Sequence, residues 1–98
     1  MKIKTKSGFE CNINERRLKD WRYIKAAAKM NEGDQTEIAV ALAFAVPFLL
    51  GDDGEAALIK HLEDDEGVAD SEKLVQEFIE ITQIAGEKVK KSQSSLSS

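Results

Sequence analysis

The sequence of 98 residues has very little cysteine, histidine and proline, with one residue of each. A single cysteine, Cys11, cannot form an internal disulfide, which is typical of proteins in the reducing cytosol. One histidine, His61, together with one cysteine is too few for an ordinary tetrahedral zinc site. We therefore expect a cytoplasmic domain without a bound metal.

Long hydrophobic runs are also missing. The longest uncharged stretch, residues 38–50, has thirteen residues, and as a helix it would span about 20 Å, whereas the hydrocarbon core of a bilayer is about 30 Å thick. The first six residues interleave lysines with other residues and contain no continuous apolar segment of the secretory type. We expect neither a membrane span nor a secretory signal.

Sequence signatures of catalysis are missing as well. The chain has no glycine-rich phosphate loop and no Walker A sequence. His61 lies off the apolar stripe of its predicted helix, which favours a solvated side chain over a catalytic base. Acidic pairs such as Asp52-Asp53 stand at predicted helix ends, where caps are common. The sequence predicts a protein that is not an enzyme, with no catalytic residue and no cofactor.

Charge is distributed unevenly along the chain. Residues 1–33 contain nine Lys or Arg and four acids, residues 34–80 contain two Lys and thirteen acids, and the net charge of the whole chain is −4. The basic start can pack on the acidic middle of the same molecule, or it can contact the acidic middle of a neighbour. The second arrangement would give a weak homo-oligomer with head-to-tail contacts.

The predicted fold is mainly α, with an N-terminal β-hairpin followed by about four helices in a small bundle. Apolar residues recur at period two on either side of Ser7-Gly8, as in a hairpin with one buried face that includes Cys11. The serine-rich end lacks any pattern and predicts disorder. We expect one domain over residues 1–91, a hairpin over residues 2–13, helices over residues 15–30, 35–50, 53–64 and 71–91, and a disordered tail over residues 92–98.

Capping residues set the predicted helix ends. Asn14 can cap the first helix, and Asp34 with Glu37 has the form of a capping box that opens the second. Pro47 should kink or restart that helix, and Gly51 should end it. Because residues 38–46 are apolar all round, we expect this helix to be the central element of the bundle.

The first helix carries two apolar stripes. One stripe contains Leu18, Trp21, Ile24 and Ala28, and we expect it to face the core. The stripe on nearly the opposite side contains Tyr23, Ala26, Ala27 and Met30. A second stripe indicates either burial on two sides or a surface for a partner. The candidate protein-binding residues are Trp21, Tyr23, Ala27 and Met30.

Three segments of the chain resemble parts of one known family, in the same order. The first is residues 1–14, with Lys6-Ser7-Gly8-Phe9-Glu10 at its centre. The second is residues 48–62, FLLGDDGEAALIKHL, and the third is residues 65–69, which lead into the last helix. They resemble, in turn, the opening, the central Leu-Leu-Gly with the helix that follows, and the final part of the small tail assembly chaperones of siphophages and prophages of Gram-positive bacteria. The bulky Trp21-Arg22-Tyr23 departs from the family pattern, in which acidic and small residues are common.

The resemblance implies a cytoplasmic factor of the bacterial host cell that binds the phage tape-measure protein. It also implies that the factor helps to recruit tail-tube subunits, the major tail protein, and leaves before the virion is complete. One alternative is a structural tail or adaptor protein that is retained in the virion. Another is a small nucleic-acid-binding regulator, which the acidic middle of the chain disfavours. Its phosphate contacts would come from the basic residues of the first helix, Arg16, Arg17, Lys19, Arg22, Lys25 and Lys29.

Overall fold

The computed structural model describes the backbone of residues 1–97 and the side chains of residues 1–90. The fold is mainly α, as predicted. Within this part of the chain, two strands are followed by a 3₁₀ helix and three α-helices: β1 (Lys2–Lys4), β2 (Glu10–Asn12), the 3₁₀ helix (Glu15–Lys19), α1 (Trp21–Glu32), α2 (Gln35–Leu62) and α3 (Ser71–Ser97). The backbone of α3 continues to Ser97, past the predicted end of this helix at residue 91. The predicted disorder of residues 92–98 stays a prediction.

The predicted N-terminal hairpin is confirmed. Strands β1 and β2 pair antiparallel with Ile3 opposite Cys11. The turn is closed by backbone hydrogen bonds from Thr5 to Phe9 (2.9 Å) and from Gly8 to Thr5 (3.0 Å). Gly8 has a φ of 93°, which a three-residue hairpin loop requires and which glycine adopts without steric cost. The inward face is buried at Ile3, Thr5, Phe9 and Ile13, and Cys11 is half-buried against the core.

The predicted single helix over residues 15–30 is wrong, because Asp20 divides it into the 3₁₀ helix and α1. Asn14 caps the 3₁₀ helix as predicted, and its side chain accepts a hydrogen bond from the Arg16 amide. Asp20 has an extended backbone (φ −69°, ψ 135°), and its carboxylate accepts from the Arg22 amide at 2.8 Å. A short acidic side chain that binds the amide two residues on starts a new helix in this way.

The two helices predicted over residues 35–50 and 53–64 form one element, α2, with a break inside it. The capping box of Asp34 and Glu37 opens α2 as predicted. Pro47 lies within the helix, and the residue with non-helical dihedral angles is Gly51 (φ 79°, ψ 165°). Two helical segments meet at this kink and are counted together as α2, which is why four predicted helices become three. These angles belong to a region that essentially only glycine occupies.

The core lies where α2 meets the other elements. Helix α2 contacts α1, α3, β2 and the 3₁₀ helix, as expected for a central element. The inner face of α3 is apolar, and its residues Phe78, Ile81 and Ala85 are fully buried. Residues 38–46 are apolar all round, but they are not buried on every side. Val40 is 66% exposed and Phe44 is also partly exposed, because the other elements cover only one side of this segment.

A transmembrane α-helix has to be long and predominantly apolar. No helix in the described part of the chain combines the necessary length with the necessary apolar character.

The break at Gly51 can be tested by substitution. Gly51→Ala places a side chain in a backbone region that costs about 1–3 kcal/mol, although no atom lies close enough to clash with the new Cβ. We expect the free energy of unfolding, measured by urea denaturation, to fall by that amount.

Gly86 is the matched control, because it lies inside α3 with ordinary dihedral angles and a Cβ added there would also meet open space. Gly86→Ala should raise the free energy of unfolding by up to about 1 kcal/mol. Effects of the same sign at both positions would contradict this account of Gly51.

Candidate functional site

Helix α1 is oriented opposite to the prediction. Tyr23 and Ala26 are each 8% exposed, and Ala27 and Met30 are half-buried against the core. Trp21 is 68% exposed and Ile24 is also exposed. The expected core stripe is therefore the outer face of α1. Leu18 was counted in that stripe, but it packs against the core from the 3₁₀ helix and does not share the register of α1.

This orientation separates the four candidate protein-binding residues. Trp21 lies on the surface, whereas Tyr23, Ala27 and Met30 pack into the core. Burial also raises the pKa of the Tyr23 phenol above its ordinary value. Binding of a partner by this set stays a prediction, but Tyr23 presents almost no surface for a partner to contact.

A long groove lies between α1 and the first half of α2, and we call it the α1/α2 groove. Its apolar walls come from Trp21, Ile24 and Ala28 on α1 and from Val40 and Phe44 on α2. Its volume is about 830 Å³, which falls within the range of protein ligand sites, roughly 300–1,000 Å³. Four of these five side chains are large hydrophobics that stay exposed, so the groove is a candidate surface for a partner.

Charged side chains border the α1/α2 groove, mostly from α1. Two of them are held in exposed ion pairs: Arg22 with Asp20 at 3.0 Å, and Lys29 with Glu37 at 2.9 Å. The hydrogen bond between Lys29 and Glu37 raises the pKa of the lysine and lowers that of the carboxyl. Lys25 and Glu32 also line the groove, and neither forms an ion pair with a side chain of residues 1–90.

An aromatic stack supports one end of the groove. Phe44 stacks on Phe48 with a centroid distance of 5.0 Å and an interplanar angle of 22°. The guanidinium groups of Arg17 and Arg22 lie 5.1 and 5.3 Å from the Phe48 centroid, within cation–π range. Arg17 also donates to the Phe48 carbonyl at 2.7 Å. These contacts fix Phe44 in the wall of the groove.

A second polar cluster joins the hairpin turn to α2 and α3. Glu77 on α3 is 8% exposed, and its Oε2 accepts hydrogen bonds from the hydroxyls of Thr5 and Ser7. Ser7 Oγ also lies 2.9 Å from His61 Nε2 on α2, and the His61 ring packs on Phe9 with a centroid distance of 5.4 Å. Since a buried carboxylate is costly unless it is hydrogen-bonded, the two hydroxyls explain how Glu77 is accommodated.

These contacts tie the hairpin turn to both helices. Ser7 Oγ donates to Glu77 at 2.7 Å and is also hydrogen-bonded to His61 Nε2, where the direction depends on the histidine tautomer. The cluster therefore positions the hairpin. Among the described residues, no group of three His, Cys, Asp or Glu side chains could hold a metal ion.

Sequence reasoning missed the α1/α2 groove, although it found two stripes on α1. Val40 and Phe44 lie in the stretch that was expected to form the central element of the bundle, and only the fold shows that one side of it is open. A signal was present in the two apolar faces of α1, since one short helix at the edge of a domain rarely buries both.

Comparisons with known proteins found no matching family model, no similar curated protein and no similar solved structure.

The orientation of α1 gives a direct stability test. Tyr23→Asp buries a carboxylate in the core, and we expect a loss of about 3 kcal/mol or more in the free energy of unfolding. Trp21→Asp changes an exposed residue in the first turn of α1, where an acid is favourable. It should alter stability by less than about 0.5 kcal/mol.

Thermal denaturation followed by circular dichroism measures both variants under one condition. If Trp21→Asp were the more destabilising change, the orientation of α1 would be wrong.

Proposed function

We propose that this protein is a tail assembly chaperone of a siphophage or prophage. It acts in the cytoplasm of the bacterial host, binds the tape-measure protein and helps to recruit the major tail protein. The observation that carries the proposal is the α1/α2 groove, an exposed apolar strip between two helices. The resemblance of three segments to this family supplies the identity of the partner.

The shape of the groove suits a helical partner. The family's tape-measure proteins are long and partly helical, and an amphipathic helix buries anchors at positions i, i+3, i+4 and i+7 in a hydrophobic groove. Trp21 is the largest exposed anchor on this side, and aromatic residues contribute most to such interfaces. The charged rim stays hydrated, so a chaperone of this kind can release its partner when the tail tube assembles.

The nucleic-acid alternative receives less support from the geometry. Of the six basic residues assigned to it, Arg17 donates to the Phe48 carbonyl, Arg22 pairs with Asp20 and Lys29 pairs with Glu37. Binding to phosphates would have to compete with these contacts, and the phosphate contacts supply most of the affinity for nucleic acid.

Weak self-association is part of the same proposal. The acidic residues 63–66 are exposed, and so are basic side chains of the N-terminal part such as Lys2 and Lys4. Contacts between these regions on neighbouring molecules would be weak and screened over about 8 Å at physiological salt. An open head-to-tail contact would allow many copies to cover one long partner.

Co-expression with the tape-measure protein of the same phage or prophage tests the main proposal. A tagged chaperone should keep the tape-measure protein soluble and co-purify with it. Val40→Asp puts a charge into the α1/α2 groove on an exposed helix position, and we expect at least tenfold less tape-measure protein in the complex, as for an interface anchor worth about 1.4 kcal/mol.

Ile79→Asp is the matched control, because Ile79 is an exposed apolar residue of α3 (41%) outside the groove. The Ile79→Asp variant should co-purify with as much tape-measure protein as the wild type does. Equal losses in both variants would remove the groove as the binding site, and no complex with the wild-type protein would refute the chaperone function. Mass spectrometry of purified virions separates a chaperone, which is absent there, from a retained tail protein.

A further inference from the structure

The charges along the α1/α2 groove form direct ion pairs at two positions and none at two others. Arg22 and Lys29 are held by Asp20 and Glu37 at about 3 Å. Lys25 and Glu32 line the same groove, are exposed, and form no direct ion pair within residues 1–90. Glu32 acts on Lys29 only at longer range, after the stronger effect of Glu37. The groove therefore offers one cation and one anion without a direct ion-pair partner among its described side chains.

Lys25 and Glu32 are seven residues apart on α1. Two helical turns separate them by about 10.5 Å along the axis and place them on the same side of the helix, within about 20° of each other. The apolar residues Ile24 and Ala28 lie beside this pair. The edge of the groove is thus positive near one end, negative at the other, and apolar along its inner side.

The spacing matches a helical ligand better than an extended one. In a partner helix, side chains seven residues apart repeat the same distance of about 10.5 Å on one face. Along a strand, side chains on one face are about 6.6 or 13 Å apart, so one pair cannot meet both charges. An apolar stripe on the same partner helix would contact Ile24, Val40 and Phe44.

We infer that the α1/α2 groove binds one amphipathic helix of a partner protein that carries an acidic and a basic side chain seven residues apart beside its apolar stripe. The acid lies against Lys25 and the base lies against Glu32. The inference rests on the proposed function, in which the groove receives helical segments of the tape-measure protein, and it adds the charge pattern that selects among those segments.

Three synthetic helical peptides of eighteen residues test the inference. They share an apolar stripe of leucines at positions i, i+4, i+7 and i+11 and contain no tryptophan. They differ only at two flanking positions seven residues apart, which are Glu and Lys, Lys and Lys, or Glu and Glu. Trp21 is the only tryptophan of the protein and lines the groove, so a blue shift of its fluorescence reports binding at this site.

The wild-type protein and its two groove variants should each prefer a different peptide. The wild-type protein should bind the Glu/Lys peptide most tightly, Lys25→Glu should prefer the Lys/Lys peptide, and Glu32→Lys should prefer the Glu/Glu peptide. Each preference should be about fivefold, as expected when one exposed ion pair replaces one like-charge contact. The preferences should shrink in 1 M salt, because interactions between exposed charges are screened beyond about 3 Å at that salt concentration.

Two control variants change the net charge by the same amount away from the groove. Lys2→Glu on β1 matches Lys25→Glu, and Glu66→Lys in the loop before α3 matches Glu32→Lys. Both controls should keep the wild-type preference for the Glu/Lys peptide. If they shift preference as much as the groove variants do, net charge alone attracts the peptides and the inference is wrong.

Other outcomes would also overturn it. Equal affinities of the three peptides for every variant would show a groove without charge selection. Binding that leaves Trp21 fluorescence unchanged, or that survives Val40→Asp, would place the peptides elsewhere. Sedimentation of the protein alone checks for a second copy as occupant, which would appear as an oligomer that Val40→Asp dissociates. None of these outcomes depends on the tape-measure protein, so the chaperone function is judged separately by the co-purification.

Discussion

The backbone of Gly51 is the constraint on which the packing of the other elements depends. A straight helix of 28 residues would be about 42 Å long, and a short hairpin and two other helices cannot cover such a rod from one side. The change of direction at Gly51 lets residues before it, such as Val46 and Leu49, and Leu58 after it join the same core. The hairpin contacts the second half at His61, and α3 also packs against α2. A residue with a Cβ would strain this backbone even though the space around it is open.

Local signals in the sequence predicted much of the fold. The hairpin follows from alternation around Ser7-Gly8, and the caps at Asn14 and Asp34 involve only neighbouring residues, so short-range hydrogen bonds decide them. The inner face of α3 also follows from its period, because that helix has one clear apolar stripe. The cap at Asp20 was missed because the apolar period continues through it in the sequence, although aspartate was a possible start signal.

Contacts between distant segments decided the remainder, and these were not predictable from the sequence. Both faces of α1 are apolar, so only its contact with α2 determines that Tyr23 points inward and Trp21 outward. The groove exists because Val40 and Phe44 are left uncovered, which depends on the position of α1. Likewise, the hydroxyl groups that satisfy Glu77 come from residues about seventy positions earlier in the chain. Of the four candidate binding residues, only Trp21 lies in the groove wall.

The polar cluster gives the hairpin a defined position as well as a binding energy. Apolar contacts of Ile3 and Phe9 can slide, whereas a hydrogen bond from Ser7 to Glu77 and one from the Lys6 amide to Glu80 at 2.7 Å tolerate little movement. A third hydrogen bond between the hairpin and α3 is donated by Lys88 to the Lys2 carbonyl at 2.7 Å. Both strands of the hairpin are three residues long, and a hairpin of this size is marginal by itself in water. Its order therefore depends on α3.

The half-buried Cys11 makes the docking of the hairpin on α3 measurable through the rate of thiol labelling. Burial, and then the charge of Glu77, raise the pKa of the Cys11 thiol above its ordinary value, so little of the reactive thiolate exists while the hairpin is docked. Lifting the hairpin from α3 would remove both effects. As Cys11 is the sole cysteine in the sequence, we expect a thiol reagent to label the native protein faster when the hairpin detaches more often. The chain thus contains its own probe of local opening, at a place where global denaturation would show nothing.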